Sequence, residues 1–290
     1  MSAVKIEAKP VLLVRAADNE DDSAALLAAG LATVIDPYLT VQPLSGQAGL
    51  DAAGKLLART GLLQRGDWLV ATSLNGLRSW GILAWQLTRR EAVAEALADA
   101  KARGVRFAAI GPATAAKFAE FGIFDVFTPS EAYGDALADE LLAEAAPEAA
   151  GLGRPVRALI PAGNLAMKTL VSRLSDAGWQ VASEVIYQTA IIPEQPTSAA
   201  RAVDGAFSAV LLRSPSAARA LVHWTTKVLG GTQLPPEIAN LPVVCGGRTT
   251  AAVAESLGLK VAAITADTQP ATIANTLVAV VENFPQQKGS

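Results

Sequence analysis

Gly111-Pro112-Ala113-Thr114-Ala115-Ala116 returns later in the chain as Gly247-Arg248-Thr249-Thr250-Ala251-Ala252. Each copy follows an apolar run, Val105 to Ile110 or Leu241 to Cys245, and opens an alanine-rich segment. Each segment closes on a glycine at the same distance, Gly122 or Gly258. An apolar run, a glycine and a threonine heading a helix-periodic stretch predict a strand, a tight turn and a capped helix. The closing glycine suits the left-handed residue that follows a helix end. A single copy is an ordinary strand-turn-helix packing unit. Two copies with matched internal spacing predict a duplicated domain.

The duplication reaches beyond this unit. Trp68 to Asn75 has a partner in Ala209 to Ser216, each an apolar strand that ends on a hydroxyl where a helix begins. Leu26 to Tyr38 pairs with Leu174 to Tyr187: a helix end, a glycine (Gly30, Gly178), a strand, then a tyrosine. The offset between partners shrinks steadily along the chain, so the second half repeats the first with shorter connections. A length of 290 residues then divides into two ordinary domains. Strands alternate with helices, and the strands are near-continuous Val/Ile/Leu runs, which predicts an α/β fold of parallel sheets covered on both faces. Two long extended segments interrupt that alternation, 32–43 and 181–192. Pro37 argues against a central strand and for a linker in the first of them. Phe124 to Phe127 reads as a short strand, Tyr133 to Ala145 and Leu165 to Asp176 as helices, and Pro147 to Pro155 as a connector. Thr232 to Pro242 reads as a loop, and Asn283 to Ser290 as a frayed tail.

Several classes of function are excluded. The longest apolar runs have strand length, so no membrane span is expected. Met1 to Pro10 carries Lys5, Glu7 and Lys9 in place of an apolar core, so no secretory signal is expected and the cytoplasm is the default compartment. Cys245 is the one cysteine, which rules out an internal disulfide and a cysteine-based zinc cluster. A formal charge of −3 with scattered Lys and Arg gives no field for nucleic acid. His223, the one histidine, lies on an apolar helix and reads as a packing or surface residue. Cys245 reads as an inert core thiol, and Asp21-Asp22 as a solvated helix start. Gly151-x-Gly153 has no preceding strand and no third glycine, so it is not a dinucleotide fingerprint.

In parallel α/β folds, ligands sit beyond the carboxyl ends of the strands, where helix N-termini point. Four such starts carry candidate ligand groups: Ser73 with Asn75, Gly111 with Thr114, Ser214 with Ser216, and Gly247 with Thr250. Each hydroxyl has two readings, a helix cap or a ligand contact. Arg15, at the end of the first strand, is the best cationic candidate, with an ion pair to Asp18 or Asp36 as the alternative.

The ordered set Arg15, Pro37, Thr72-Ser73-x-Asn75, Gly111-x-x-Thr114-Ala115, Tyr187-x-Thr189, Ser214-Pro215-Ser216 and Gly247-x-Thr249-Thr250-Ala251 resembles the uroporphyrinogen-III synthase family. The likeness runs from about Val11 to about Val281. It rests on joint order and duplication, since no single motif is specific. Pro161-Ala162-Gly163-Asn164 departs from it, standing where the family often has an arginine-glycine turn. The stretch Leu77 to Arg103 is also longer than usual, with Trp68, Trp80 and Trp85 nearby.

The resemblance implies two flavodoxin-like domains exchanged at their starts and joined by a two-stranded linker. Residues 1–37 with 190–290 form one domain, and 38–189 the other, with a cleft between them. It implies a monomer without cofactor or metal. The implied substrate is hydroxymethylbilane, a linear tetrapyrrole with eight carboxylates. It is cyclised to uroporphyrinogen III with inversion of ring D and loss of water. The bilane loses its terminal hydroxyl to give an azafulvenium cation, the substituted carbon of ring D attacks, and a spiro intermediate fragments and recloses. Tyr187 is then the candidate acid for the departing hydroxyl. Arg15, Ser73, Asn75, Gly111, Thr114, Ser214, Ser216, Gly247 and Thr250 are the candidate substrate contacts. The competing readings are a hinged small-ligand-binding protein and a regulatory synthase-like domain without catalysis.

Overall fold

The computed structural model describes residues 9–15, 20–131, 133–165 and 168–284. In chain order the elements are β1 (Val11–Leu13), α1 (Glu20–Ala28), β2 (Thr33–Ile35), β3 (Leu39–Pro43), α2 (Gly46–Leu62), β4 (Trp68–Ala71), α3 (Leu74–Thr88) and α4 (Ala92–Ala102). Next come β5 (Arg106–Ala109), α5 (Pro112–Ala119), α6 (Gly134–Ala149), β6 (Arg157–Gly163), α7 (Lys168–Asp176) and β7 (Gln180–Ile191). The last are α8 (Thr197–Val203), β8 (Ala209–Leu212), α9 (Pro215–Val228), α10 (Pro236–Ala239), β9 (Val243–Cys245), α11 (Arg248–Ser256), β10 (Val261–Ile264) and α12 (Pro270–Asn283).

The chain divides into two compact units, Met1–Thr40 with Ala190–Ser290, and Val41–Thr189. The sheet of the first unit runs β10-β9-β8-β1-β2; the other sheet runs β3-β7-β6-β4-β5. Strands from the start of the chain thus lie beside strands from its end, and β6 and β7 lie beside β4 and β5. Within each sheet the pairs β1–β2, β1–β8, β8–β9 and β9–β10, and likewise β4–β5, β4–β6 and β6–β7, are parallel. Strand β3 is different. Leu44 N–H donates to Ile186 O (3.0 Å) and Ile192 N–H to Tyr38 O (3.1 Å), so numbers rise in opposite directions along β3 and β7.

Both faces of each sheet are packed, and the side chains alternate between them as the two-residue strand period requires. Leu12, Val14, Val210, Leu212, Val243 and Cys245 turn to one core with α8, α9 and α11. Val11, Leu13, Ala209, Leu211 and Val244 turn to the other with α1 and α12. In the second unit Leu69, Ala71, Phe107, Ala109 and Leu159 meet α2 to α5. Trp68, Val70, Ala108, Ala158 and Ile160 meet α6 and α7. Each unit is therefore a three-layer α/β/α stack. The duplicated glycine unit recurs in geometry: Gly111 and Gly247 precede α5 and α11, and Gly122 and Gly258 have φ of 81° and 83°. Only glycine enters that left-handed region without steric penalty.

The structure departs from the sequence reading at a few elements. Helix α6 continues through Pro147 to Ala149, where proline forgoes one bond near the end of a helix anchored by buried Leu137, Leu141 and Ala145. Phe127 makes only an isolated bridge to Ala108, so 124–127 is not a full strand. The loop 232–242 contains α10, and α8 follows the second extended segment. The unit boundary falls after Thr40. Tyr38 is buried in the first unit's core, and its hydroxyl meets Ser198 Oγ at 3.0 Å. Asp18 and residues 285–290 of the expected tail lie outside the described residues, as do Ala166 and Met167 at the expected start of the helix at 165–176.

Candidate functional site

Parallel strands place their carboxyl ends along one edge of a sheet. In the second unit that edge carries Ser73 after β4, Gly111 after β5, Gly163 and Asn164 at the end of β6, and Tyr187 in β7. Ser73 is the N-cap of α3. Its Oγ accepts from the Asn75 N–H at 3.1 Å, and its backbone is extended (φ −164°, ψ 142°). The Ser73 side chain lies close enough to the Tyr187 phenol to draw its pKa down, so two residues singled out separately in the sequence are neighbours. Burial raises the Tyr187 pKa, and the neighbouring Ser73 side chain opposes that rise only in part. The ring is half-buried, so the phenol is neutral at neutral pH and still reaches solvent.

Strand register explains how Tyr187 comes to face α3. Gly163 pairs with Tyr187 while Ala162 pairs with Val185, so β7 holds one extra residue at this point. In a regular strand Ile186 and Tyr187 point to opposite faces. Here both pack against the core that contains α3, because the bulge turns Tyr187 onto that side. Asn164 continues the ladder past the end of β6. Its N–H donates to Tyr187 O (3.1 Å), its Oδ1 accepts from Thr189 N–H (2.9 Å), and its Nδ2 donates to Thr189 O (3.2 Å).

The matching edge of the first unit carries Arg15 after β1, Arg213 and Ser214 after β8, and Gly247 after β9. Ser214 caps α9, its Oγ accepting from Ala217 N–H (3.2 Å) and lying 3.0 Å from Ser216 Oγ. One sequence reading changes here. Asp22, read as part of a solvated helix start, is 1% exposed and takes both bonds of Arg213 Nη1, at 2.7 and 2.9 Å. Asp36 accepts from Ser198 N–H (2.7 Å) and the Thr197 hydroxyl (3.2 Å) at the start of α8. Arg213 is a residue that sequence reasoning passed over. Its signal was its place in the repeat, just before the capping serine. Arg248, exposed in the first turn of α11, is another. A cation at that helix end runs against the dipole preference.

Other candidates stand differently from the capping serines. Thr114 and Thr250 are each 4% exposed and stand in the first turns of α5 and α11. His223 is exposed, edge-on to Trp224. Cys245 is buried, and desolvation followed by the charge of Glu255 pushes its thiol up to about 12. Trp68 and Trp80 are core residues. Trp85 is exposed under the Arg89 guanidinium and lines a surface groove of about 540 Å³ with Arg78, Ile82, Lys117 and Phe121. Ser73, Gly111 and Tyr187 do not line it.

The model of the uroporphyrinogen-III synthase (HemD) family matches residues 20–274. The chain belongs to that family. Solved structures agree in fold. A mutant uroporphyrinogen III synthase from the extremely thermophilic bacterium Thermus thermophilus superposes with a TM-score of 0.59 at 13% identity, over 94% of this chain and 100% of that one. The uroporphyrinogen-III synthetase of Helicobacter pylori does so with a TM-score of 0.54 at 13% identity, over 93% and 99%. A search of curated protein sequences finds no match. The synthase reaction is that of a cyclising lyase: it closes hydroxymethylbilane to uroporphyrinogen III in tetrapyrrole biosynthesis. No helix among the described residues is long and apolar enough to cross a membrane. No group of three or more His, Cys, Asp or Glu side chains among them could hold a metal ion. The family resemblance implies a reaction without metal, so turnover is expected to survive exhaustive dialysis against a chelator. Loss of activity that a metal ion restores would contradict this.

Proposed function

We propose that this synthase uses the Tyr187 phenol to protonate the hydroxyl that leaves hydroxymethylbilane. The single observation that carries the reading is the place of the half-buried Tyr187 ring, turned by the bulge opposite Gly163 onto the α3 side at the carboxyl edge of the second unit's sheet. In the step, the phenol proton passes to the departing oxygen, the carbon–oxygen bond breaks, and water leaves. The pyrrole nitrogen supplies the electron pair that makes the azafulvenium cation. The resulting phenolate recovers its proton from solvent, and the Ser73 hydroxyl stabilises it meanwhile.

The substrate's carboxylates need partners that net charge does not provide, the chain being acidic overall. Helix starts supply them locally, each contributing on the order of 0.3–1 kcal/mol at exposed sites. Ser73, Asn75, Gly111 and Thr114 are the proposed contacts in the second unit. Arg15, Ser214, Ser216, Gly247 and Thr250 are those in the first, and Arg248 adds a cation beside them. Left alone, the bilane closes head to tail to the type I isomer. The main task of the protein is therefore to hold ring D so that its substituted carbon reacts first.

The finer architecture belongs to the same proposal. Two flavodoxin-like domains exchange their starting strands, and β3 with β7 forms a two-stranded linker. The sheet orders and the antiparallel bonds of β3 to β7 support this. We further propose a cytoplasmic monomer that acts without nucleic acid. The test is to supply freshly prepared bilane and separate the uroporphyrin isomers after oxidation. Excess type III over type I is expected; type I alone would identify a non-catalytic regulatory or ligand-binding domain.

A further inference from the structure

We propose that Gly163 is a positioning residue for Tyr187, its missing side chain leaving the space in which the phenol ring is seated against Ser73. A Cβ built at position 163 lies 2.5 Å from Tyr187 Cζ, 2.7 Å from Cε2 and 2.8 Å from the hydroxyl oxygen. Real Cβ atoms do not approach other heavy atoms so closely, so alanine at 163 and the present ring position are incompatible. The requirement is one of space. Gly163 has no left-handed backbone angle, whereas ten other glycines among the described residues do.

The surrounding backbone leaves the ring as the part that must move. Gly163 ends β6, where the sheet register shifts and Tyr187 is turned onto the α3 side. Asn164 then holds β7 through one bond to Tyr187 O and two to Thr189. Helix α3 is pressed on the same strand end, since a Cβ at Gly76 would come within 2.4 Å of Pro161 O. Strand, bulge and helix start are thus tied together, and the phenol is the free end of a side chain. Alanine at 163 displaces the hydroxyl from Ser73 and leaves the fold standing.

This inference rests on Tyr187 acting as the acid, and the experiment separates the two. Turnover and KM are measured for wild type, Gly163→Ala, Tyr187→Phe and the double variant, with melting temperature as a check on folding. A displacement of about 1 Å in a catalytic group can cost on the order of 100-fold, so Gly163→Ala is expected to lower kcat tenfold to 100-fold, roughly, with KM little changed. In the Tyr187→Phe background the same substitution is expected to change kcat less than about twofold, because no hydroxyl is left to misplace. Wild-type turnover in Gly163→Ala beside a slow Tyr187→Phe overturns the positioning role. So do independent, multiplying losses in the double variant. Wild-type turnover in Tyr187→Phe overturns the acid reading itself, and the positioning role with it. Should Gly163→Ala fail to fold, Asn164→Ala releases the Thr189 clamp on the exposed edge. It is then expected to lower kcat severalfold in the Tyr187 enzyme and to have no effect in the Tyr187→Phe enzyme, the reverse result overturning the proposal.

Discussion

Tyr187→Phe is expected to lower turnover about 100-fold while leaving the melting temperature unchanged. A general acid contributes typically 10²–10⁴-fold, and two features set this one at the low end. Burial raises the phenol's pKa, which makes it a weaker donor. The pyrrole nitrogen also pushes the leaving group out, so less is asked of the acid. The sign of the pH dependence follows. As the proposed acid, Tyr187 would donate in its neutral form, and burial holds its pKa above the usual 10.0, so no loss of turnover from this group is expected between pH 6 and 9. Phenylalanine keeps the ring against Gly163 and α3, so packing is retained. Tyr38→Phe is the matched control. Its hydroxyl is buried against Ser198 in the first unit, and its removal costs about 1 kcal/mol of stability without slowing turnover. Equal rates for wild type and Tyr187→Phe would pass the protonation step to a water or a substrate carboxyl.

Asp67→Asn is expected to destabilise the second unit by about 3 kcal/mol, the lower end for breaking a buried ion pair. Asp67 is fully buried just before β4. It takes Arg154 Nη1 at 2.6 Å, Arg157 Nε at 2.9 Å, Arg157 N–H at 3.0 Å and Gln64 N–H at 2.9 Å. Desolvation on its own raises a carboxyl's pKa; here the bonds from Arg154, Gln64 and Arg157 outweigh it and hold Asp67 below 3.8. Arg154 and Arg157 are each 29% exposed, so they regain water when the carboxylate is lost, which sets the low end. For a unit of this size the melting temperature falls by roughly 6–12 °C. A depressed folded-state pKa gives stability that is present above the unfolded value and is lost as pH falls through the folded one. The gap between wild type and variant should therefore be full at pH 7 and close below about pH 4. Thermal melts at several pH values check this, and a gap that stays constant through pH 3 would refute it. Asp67 lies at the opposite end of β4 from Ser73, so turnover of the folded variant stays at the wild-type level.

Local patterns made most of the fold legible. The strands β4, β5, β8 and β9 are short apolar runs, and the hydroxyls Ser73 and Ser214 cap the helices that follow them, as the chain order indicated. What stayed hidden depends on partners far along the chain. Asp22 looks like any acidic residue in a first helical turn until Arg213 is brought beside it. Asp67 looks like a turn residue until Arg154 and Arg157 arrive. The meeting of Tyr187 with Ser73 depends on one extra residue in β7, and the alternation of side chains along a strand gives no sign of a bulge. Gly163 reads as a turn glycine for the same reason. Its requirement comes from a ring contributed by the neighbouring strand.

The order of the strands also bears on how the chain acquires its shape as it is made. Everything in the unit Val41–Thr189 is available once residue 189 has been synthesised. The other unit pairs Val11 with Ala209, so its sheet closes only when the last third of the chain arrives. Closing so long a loop is entropically costly and slow. Until then β1 and β2 hold apolar residues with no sheet to join. Vectorial synthesis thus completes the Tyr187 edge first, and the beginning of the polypeptide waits for its end.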